Sequence, residues 1–173
     1  MQEKIIIGGF GGQGILLMGR ALATAGVIDG KEACLVPTYG PEKRGGMADC
    51  SIILSDKPIP SPLVKVPNIV IVMNDICMTR FEPILASGGI LFVNSSIIKA
   101  KSERKDITAY YIPCNEIAEK IGAPKSANIV MLGAYLKISN SVNVKTLLRA
   151  IEETMPKAQG SNEEALAKGA AAV

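Results

Sequence analysis

Histidine is missing from this chain, and with it the side chain that most often serves as general acid, general base or metal ligand near neutral pH. Self-contained acid–base catalysis is therefore not expected. Tryptophan is also absent, aromatics make up 4% of the residues, and the formal net charge is only +3. The basic residues are scattered without stacking aromatics beside them, which excludes nucleic acid as a partner. Apolar runs such as 68–73 fall far short of the roughly 20 residues that cross a bilayer, so no membrane span is expected. Met1-Gln2-Glu3-Lys4 leads directly into Ile5-Ile6-Ile7-Gly8-Gly9, without the longer apolar region and small-residue cleavage site of a secretory signal, and a cytoplasmic location is expected.

Cysteines are few and far apart: Cys34, Cys50, Cys77 and Cys114 lack the two-residue spacers of zinc sites and bacterial iron–sulfur runs. No metal or cluster is expected on this chain. Without a secretion signal, reduced and mostly buried thiols are expected rather than disulfides.

What is present is aliphatic. Hydrophobic residues make up 48% of 173, and the mean hydropathy is +0.28. That length supports one domain with a substantial core, taken as residues 1–173. The Val/Ile/Ala bias suits a mainly parallel sheet with helices on both faces, and it leaves apolar surface for another subunit.

The pattern along the chain agrees. Three consecutive isoleucines within 4–8 predict a buried strand, then a glycine turn, then a helix over 13–28 that Gly30 stops. Strands are predicted at 32–36 and 47–55, with a glycine-rich loop between them. Four prolines within 57–67 make an extended connector. Further strands are expected at 68–73, 89–94 and 110–113, and helices at 75–85 and 115–121. Ser126 or Asn128 is expected to cap a helix to about 136, and Asn140 or Ser141 one over 142–155. A short helix over 162–170 ends the chain. This alternation predicts an α/β fold: a single three-layer α/β/α domain around an open, mainly parallel Rossmann-like sheet. Ligands of such folds bind outside the carboxyl ends of the strands.

Two segments stand at such ends. Gly9-Phe10-Gly11-Gly12-Gln13-Gly14 has the G-x-G-x-x-G spacing in a strand-to-helix context, where bare amides at a helix start attract phosphate. A dinucleotide site also needs an acid at the end of the second strand to hold the ribose, where this chain reads Val36-Pro37-Thr38-Tyr39. NAD and FAD are therefore disfavoured, and the turn serves either an anion or close packing alone. The second segment, Thr38-Tyr39-Gly40-Pro41-Glu42-Lys43-Arg44-Gly45-Gly46, joins an aromatic, an acid, adjacent cations and glycines. Lys43 and Arg44 suit phosphate, arginine with two parallel bonds and lysine as a point charge. A solvated basic turn paired with Glu42 is the plainer alternative.

Together with the run Ala48-Asp49-Cys50-Ser51-Ile52-Ile53-Leu54-Ser55, the helix from Ser126-Ala127-Asn128 to Leu132-Gly133-Ala134, and the ending Asn162-Glu163-Glu164-Ala165-Leu166 to Gly169, these two segments resemble the gamma subunits of 2-oxoacid:ferredoxin oxidoreductases over essentially the whole chain. The resemblance implies oxidative decarboxylation of a 2-oxoacid by thiamine diphosphate with Mg2+, electron transfer through [4Fe-4S] clusters to ferredoxin, and capture of the acyl group by coenzyme A. It implies alpha and thiamine-binding beta subunits and a ferredoxin-like delta subunit or domain as partners, which carry those cofactors, while this chain holds none alone and has no catalytic residue. Carried onto this sequence, the site is Gly9, Gly11, Gly12, Gln13, Gly14, Tyr39, Lys43, Arg44, Gly45 and Gly46, facing coenzyme A or the diphosphate side of the active site. Family members often carry Met where Lys43 stands. Ser61-Pro62 and the Tyr39 loop look most like the 2-oxoglutarate enzymes. Two other readings stand beside it: a nucleotide-binding module or regulator that acts alone, and an assembly scaffold whose loops only touch neighbours.

Overall fold

The computed structural model describes residues 2–39, 46–154 and 161–173. Its strands are β1 (Gln2–Phe10), β2 (Glu32–Tyr39), β3 (Met47–Ser55), β4 (Ile69–Val72), β5 (Ile90–Asn94) and β6 (Thr108–Ile112), and its helices α1 (Ile15–Ile28), α2 (Asp75–Phe81), α3 (Cys114–Lys120), α4 (Ala127–Ser139), α5 (Val144–Thr154) and α6 (Asn162–Ala170). The strands form one sheet in the order β2-β3-β1-β4-β5-β6. β4, β5 and β6 run parallel to β1, and β3 lies antiparallel between β1 and β2. The expected α/β class and mainly parallel sheet are what the chain adopts.

Period-two alternation explains the isoleucine run. Ile5 and Ile7 enter a core beneath α1, α4 and α5, while Ile6 joins Met78 and Phe81 of α2 on the opposite face. Each such side chain contributes about 1.5–3 kcal/mol when fully buried, so both faces of β1 anchor the sheet. The cover is uneven. One face carries α1, α3, α4, α5 and α6, whereas the other carries α2, a short 3-10 turn at Glu82–Ile84 and flanking loops.

Several local expectations shift for physical reasons. β2 continues through Pro37 to Tyr39 rather than stopping at residue 36, because an edge strand leaves one row of backbone groups unpaired and tolerates a missing donor. β2 and β3 pair directly, antiparallel, from Glu32–Ser55 to Tyr39–Ala48. Ser126 makes no side-chain cap for α4. Asn140, with φ 50°, ends α4 in the left-handed region. The cap of α5 is Asn143, whose Oδ1 accepts from the Lys145 N–H at 2.8 Å.

At the amino end of β1 a polar group is buried. The Tyr135 hydroxyl donates to Glu3 Oε2 at 2.5 Å and meets Ser141 Oγ at 2.7 Å. Burial raises the Glu3 carboxyl above the usual carboxylate range, against the lowering effect of those hydroxyls. A raised folded value means that the stability it contributes is full below the unfolded value and is lost as pH rises through the folded one. The melting temperature is thus expected to fall across that window with increasing pH, and Glu3→Gln to flatten this part of the profile. An identical profile in the variant would show that Glu3 does not titrate on folding.

Cys50, Cys77 and Cys114 are buried, and Cys34 is half-buried. Burial pushes the Cys50 thiol up to about 12 and Cys77 to about 11, with the Asp49 charge adding to each; Cys114 is raised by burial as well. Protonated thiols of this kind are poor nucleophiles and poor ligands.

Candidate functional site

α1, after β1, packs on one face of the sheet, and α2, after β4, on the other. Where neighbouring parallel strands send their connections to opposite faces, a crevice opens outside their carboxyl ends. β1 and β4 are such a pair, and a cleft of about 870 Å³ lies there. Its walls include Gly12, Gln13, Gly14, Lys125, Asn128 and Asn162. That volume falls in the range of small-molecule sites, ~300–1,000 Å³.

The glycine turn is braced from three sides. Gln13 N–H donates to Phe10 O at 3.1 Å. The Gln13 side chain accepts from the Phe10 N–H at 2.6 Å and donates to Met73 O at 3.1 Å, which ties the turn to the end of β4. Gly11 N–H donates to Gly46 O at 2.9 Å, so the turn is fastened to the start of β3. Gly14 takes φ 76° and ψ 22°, the left-handed region that glycine enters without strain. It immediately precedes α1 and offers no side-chain cap, which leaves leading amides of the helix with partial positive charge for an anion. A Cβ on Gly14 would collide with the amide of Asn128.

Of the sequence-predicted residues, the structure brings Gly9, Gly11, Gly12, Gln13, Gly14 and Gly46 together at the carboxyl ends of β1 and β2. The Tyr39 backbone pairs with Ala48 at the base of the second loop. Lys43, Arg44 and Gly45 lie outside the described residues.

The topology adds a reason against a dinucleotide site. In that fold the second strand lies beside the first, but here β3 separates them. The acid in register with Gly8 is Asp49, which is buried and paired with Arg80 at 3.3 Å. Among the described residues, no group of three or more Cys, Asp or Glu is placed to hold a metal ion, and no helix is long and apolar enough to cross a membrane.

Other cleft residues were not singled out as ligand groups by sequence. Lys125 is exposed beside the cleft, while Asn128 and Asn162 are buried in its wall. Both asparagines sit in segments that carry the family resemblance, but nothing in a helix start distinguishes a ligand-facing amide from a cap.

Residues 4–172 match the family model described as pyruvate ferredoxin/flavodoxin oxidoreductase. The 2-oxoglutarate synthase subunit KorC of Methanocaldococcus jannaschii is 37% identical over 169 residues, which cover 96% of this chain and 89% of that one. The keto/oxoacid ferredoxin oxidoreductase gamma subunit from Geobacter sulfurreducens superposes with a TM-score of 0.87 at 26% identity, covering 99% and 96% of the two chains. A 2-oxoglutarate:ferredoxin oxidoreductase from Magnetococcus marinus, solved with 2-oxoglutarate, coenzyme A and succinyl-CoA bound, shares the fold with a TM-score of 0.89 at 23% identity; the match covers 98% of this chain and 30% of that one.

Proposed function

Since the chain belongs to the pyruvate ferredoxin/flavodoxin oxidoreductase family, we propose that it is the gamma subunit of a 2-oxoglutarate:ferredoxin oxidoreductase and supplies part of that enzyme's coenzyme A site. A gamma-type subunit of a 2-oxoacid:ferredoxin oxidoreductase is what its relatives are. The choice of 2-oxoglutarate rests on the KorC relative and on the wording of the Tyr39 loop. The whole chain, 1–173, acts as one gamma-type domain in the cytoplasm. Its partners are the alpha and beta subunits and a ferredoxin-like delta subunit or domain.

The observation that carries the coenzyme A reading is the uncapped start of α1 in a cleft of ligand size, tied by the Gly11–Gly46 bond to the loop that holds Lys43 and Arg44. Anionic phosphates gain there from helix amides and from Lys125 beside the cleft, and the reading adds Lys43 and Arg44 as further cations.

This chain's own residues do not fit the remaining cofactors. Its cysteines are far apart in sequence, and three of them are buried, while the described residues offer no metal-ligating cluster. In this reading thiamine diphosphate, Mg2+ and [4Fe-4S] clusters are assigned to the partners, as the family resemblance implies, where they would supply decarboxylation and electron transfer. The part played by this chain is to bind coenzyme A and orient it for acyl capture.

In the assembled enzyme, replacing Lys43 and Arg44 together by alanine is expected to raise the apparent KM for coenzyme A roughly tenfold or more, as loss of charged hydrogen bonds does, with assembly intact. An unchanged KM would remove the loop from the site. Turnover of 2-oxoglutarate against pyruvate and branched-chain 2-oxoacids tests the substrate, with the highest kcat/KM expected for 2-oxoglutarate. The isolated chain is expected to be inactive and to co-purify with proteins that carry thiamine and iron; activity from the chain alone would overturn the reading.

A further inference from the structure

Asn162 opens α6 and lines the cleft, yet only 1% of it is exposed and neither its Oδ1 nor its Nδ2 has a hydrogen-bond partner. A buried primary amide left unsatisfied is costly, and an apolar side chain of similar shape would avoid that cost. Among the described residues nothing bonds this amide. It has no bond to break, so turning it toward a bound molecule forfeits nothing.

The same cleft holds the uncapped start of α1, the Asn128 amide against Gly14, and Lys125. A molecule that satisfies all of these carries phosphate for the helix start and, elsewhere, a neutral edge with a donor and an acceptor side by side. Adenine has such an edge: its 6-amino group donates and N7 beside it accepts, the complement of an Asn amide. The coenzyme A reading above supplies a ligand with both parts, and the inference rests on that reading. We propose that Asn162 is the specificity-determining residue for the adenine of coenzyme A. A 6-oxopurine in its place sets two acceptors, O6 and N7, side by side, so neither orientation of the amide makes both bonds and the site discriminates against it.

The test uses the assembled enzyme with coenzyme A and its analogue bearing hypoxanthine for adenine. The wild type is expected to show an apparent KM roughly tenfold lower for coenzyme A than for the analogue. Asn162→Leu should raise the KM for coenzyme A about tenfold, leave that for the analogue unchanged, and leave kcat within about twofold. The isolated variant should melt at or above the wild-type temperature, because a purely structural role for the amide would lower it. Asn162→Asp, which keeps the acceptor and the shape, gives the same readout if the leucine variant does not fold, with an intermediate KM for coenzyme A. Equal KM values for the two compounds in the wild type, or a parallel rise for both in the variants, overturns the adenine assignment and assigns the amide to another part of the ligand or to packing. Gly14→Ala separates the two levels: if it raises the KM for coenzyme A and the Asn162 variants do not, only the adenine assignment fails, whereas if none of them changes it, coenzyme A does not use this cleft.

Discussion

Replacing Gly169 by alanine is expected to cost the chain about 2–3 kcal/mol, read as a fall of about 8 °C in melting temperature. α4 and α6 cross backbone to backbone. A Cβ on Gly169 would overlap the Val130 carbonyl, and one on Gly133 would overlap the Leu166 carbonyl. Alanine gains about 1 kcal/mol over glycine from helix propensity alone, and in an exposed helix that gain would win. Here the obstacle is a peptide carbonyl rather than the end of a flexible side chain, so the helices must separate. α4 is buried along most of its length, and any shift is transmitted to Tyr135 and to Phe92, whose rings meet edge to face at 6.0 Å. The same shift would move Asn128 at the start of α4, so turnover of the assembled enzyme should fall with stability. A variant that melts at or above the wild-type temperature would mean that the crossing has room to spare.

Gly14→Ala is expected to act chiefly on the site. The left-handed backbone imposes roughly 1–2 kcal/mol of strain on any residue with a Cβ, and the new methyl group would push Asn128 out of its place in the cleft. In the assembled enzyme the apparent KM for coenzyme A should rise tenfold or more, with kcat within about twofold. Gly12 provides the control, for it also has a positive φ, 99°, but nothing within 4 Å of a Cβ there. Gly12→Ala should therefore show the strain in its melting temperature with a smaller change in KM. Equal KM values for the two variants would mean that Asn128 plays no part in ligand binding.

Much of this was legible in the residues because local chemistry is strong where it is repetitive. Three consecutive isoleucines followed by glycines read as a buried strand and a turn, and β3 and α6 begin and end where their apolar patterns do. The glycine spacing placed the turn, and the absent acid after β2 argued against a dinucleotide before the sheet order did. Caps were less legible: Ser126, Asn128, Asn140, Ser141 and Asn143 are all good cap residues, and the choice among them depends on where the helices pack.

The chain by itself determined the class of fold, the position of the glycine turn and the family, since these follow from periodicity, backbone freedom and short motifs that act over neighbouring residues. Only the tertiary structure decided that β3 slips antiparallel between β1 and β2, that Gly11 and Gly46 meet, and that Asn128 and Asn162, more than thirty residues apart, share a cleft with Gly14. Strand order and long-range proximity are set by which apolar faces bury together across the whole domain, and no local pattern encodes that.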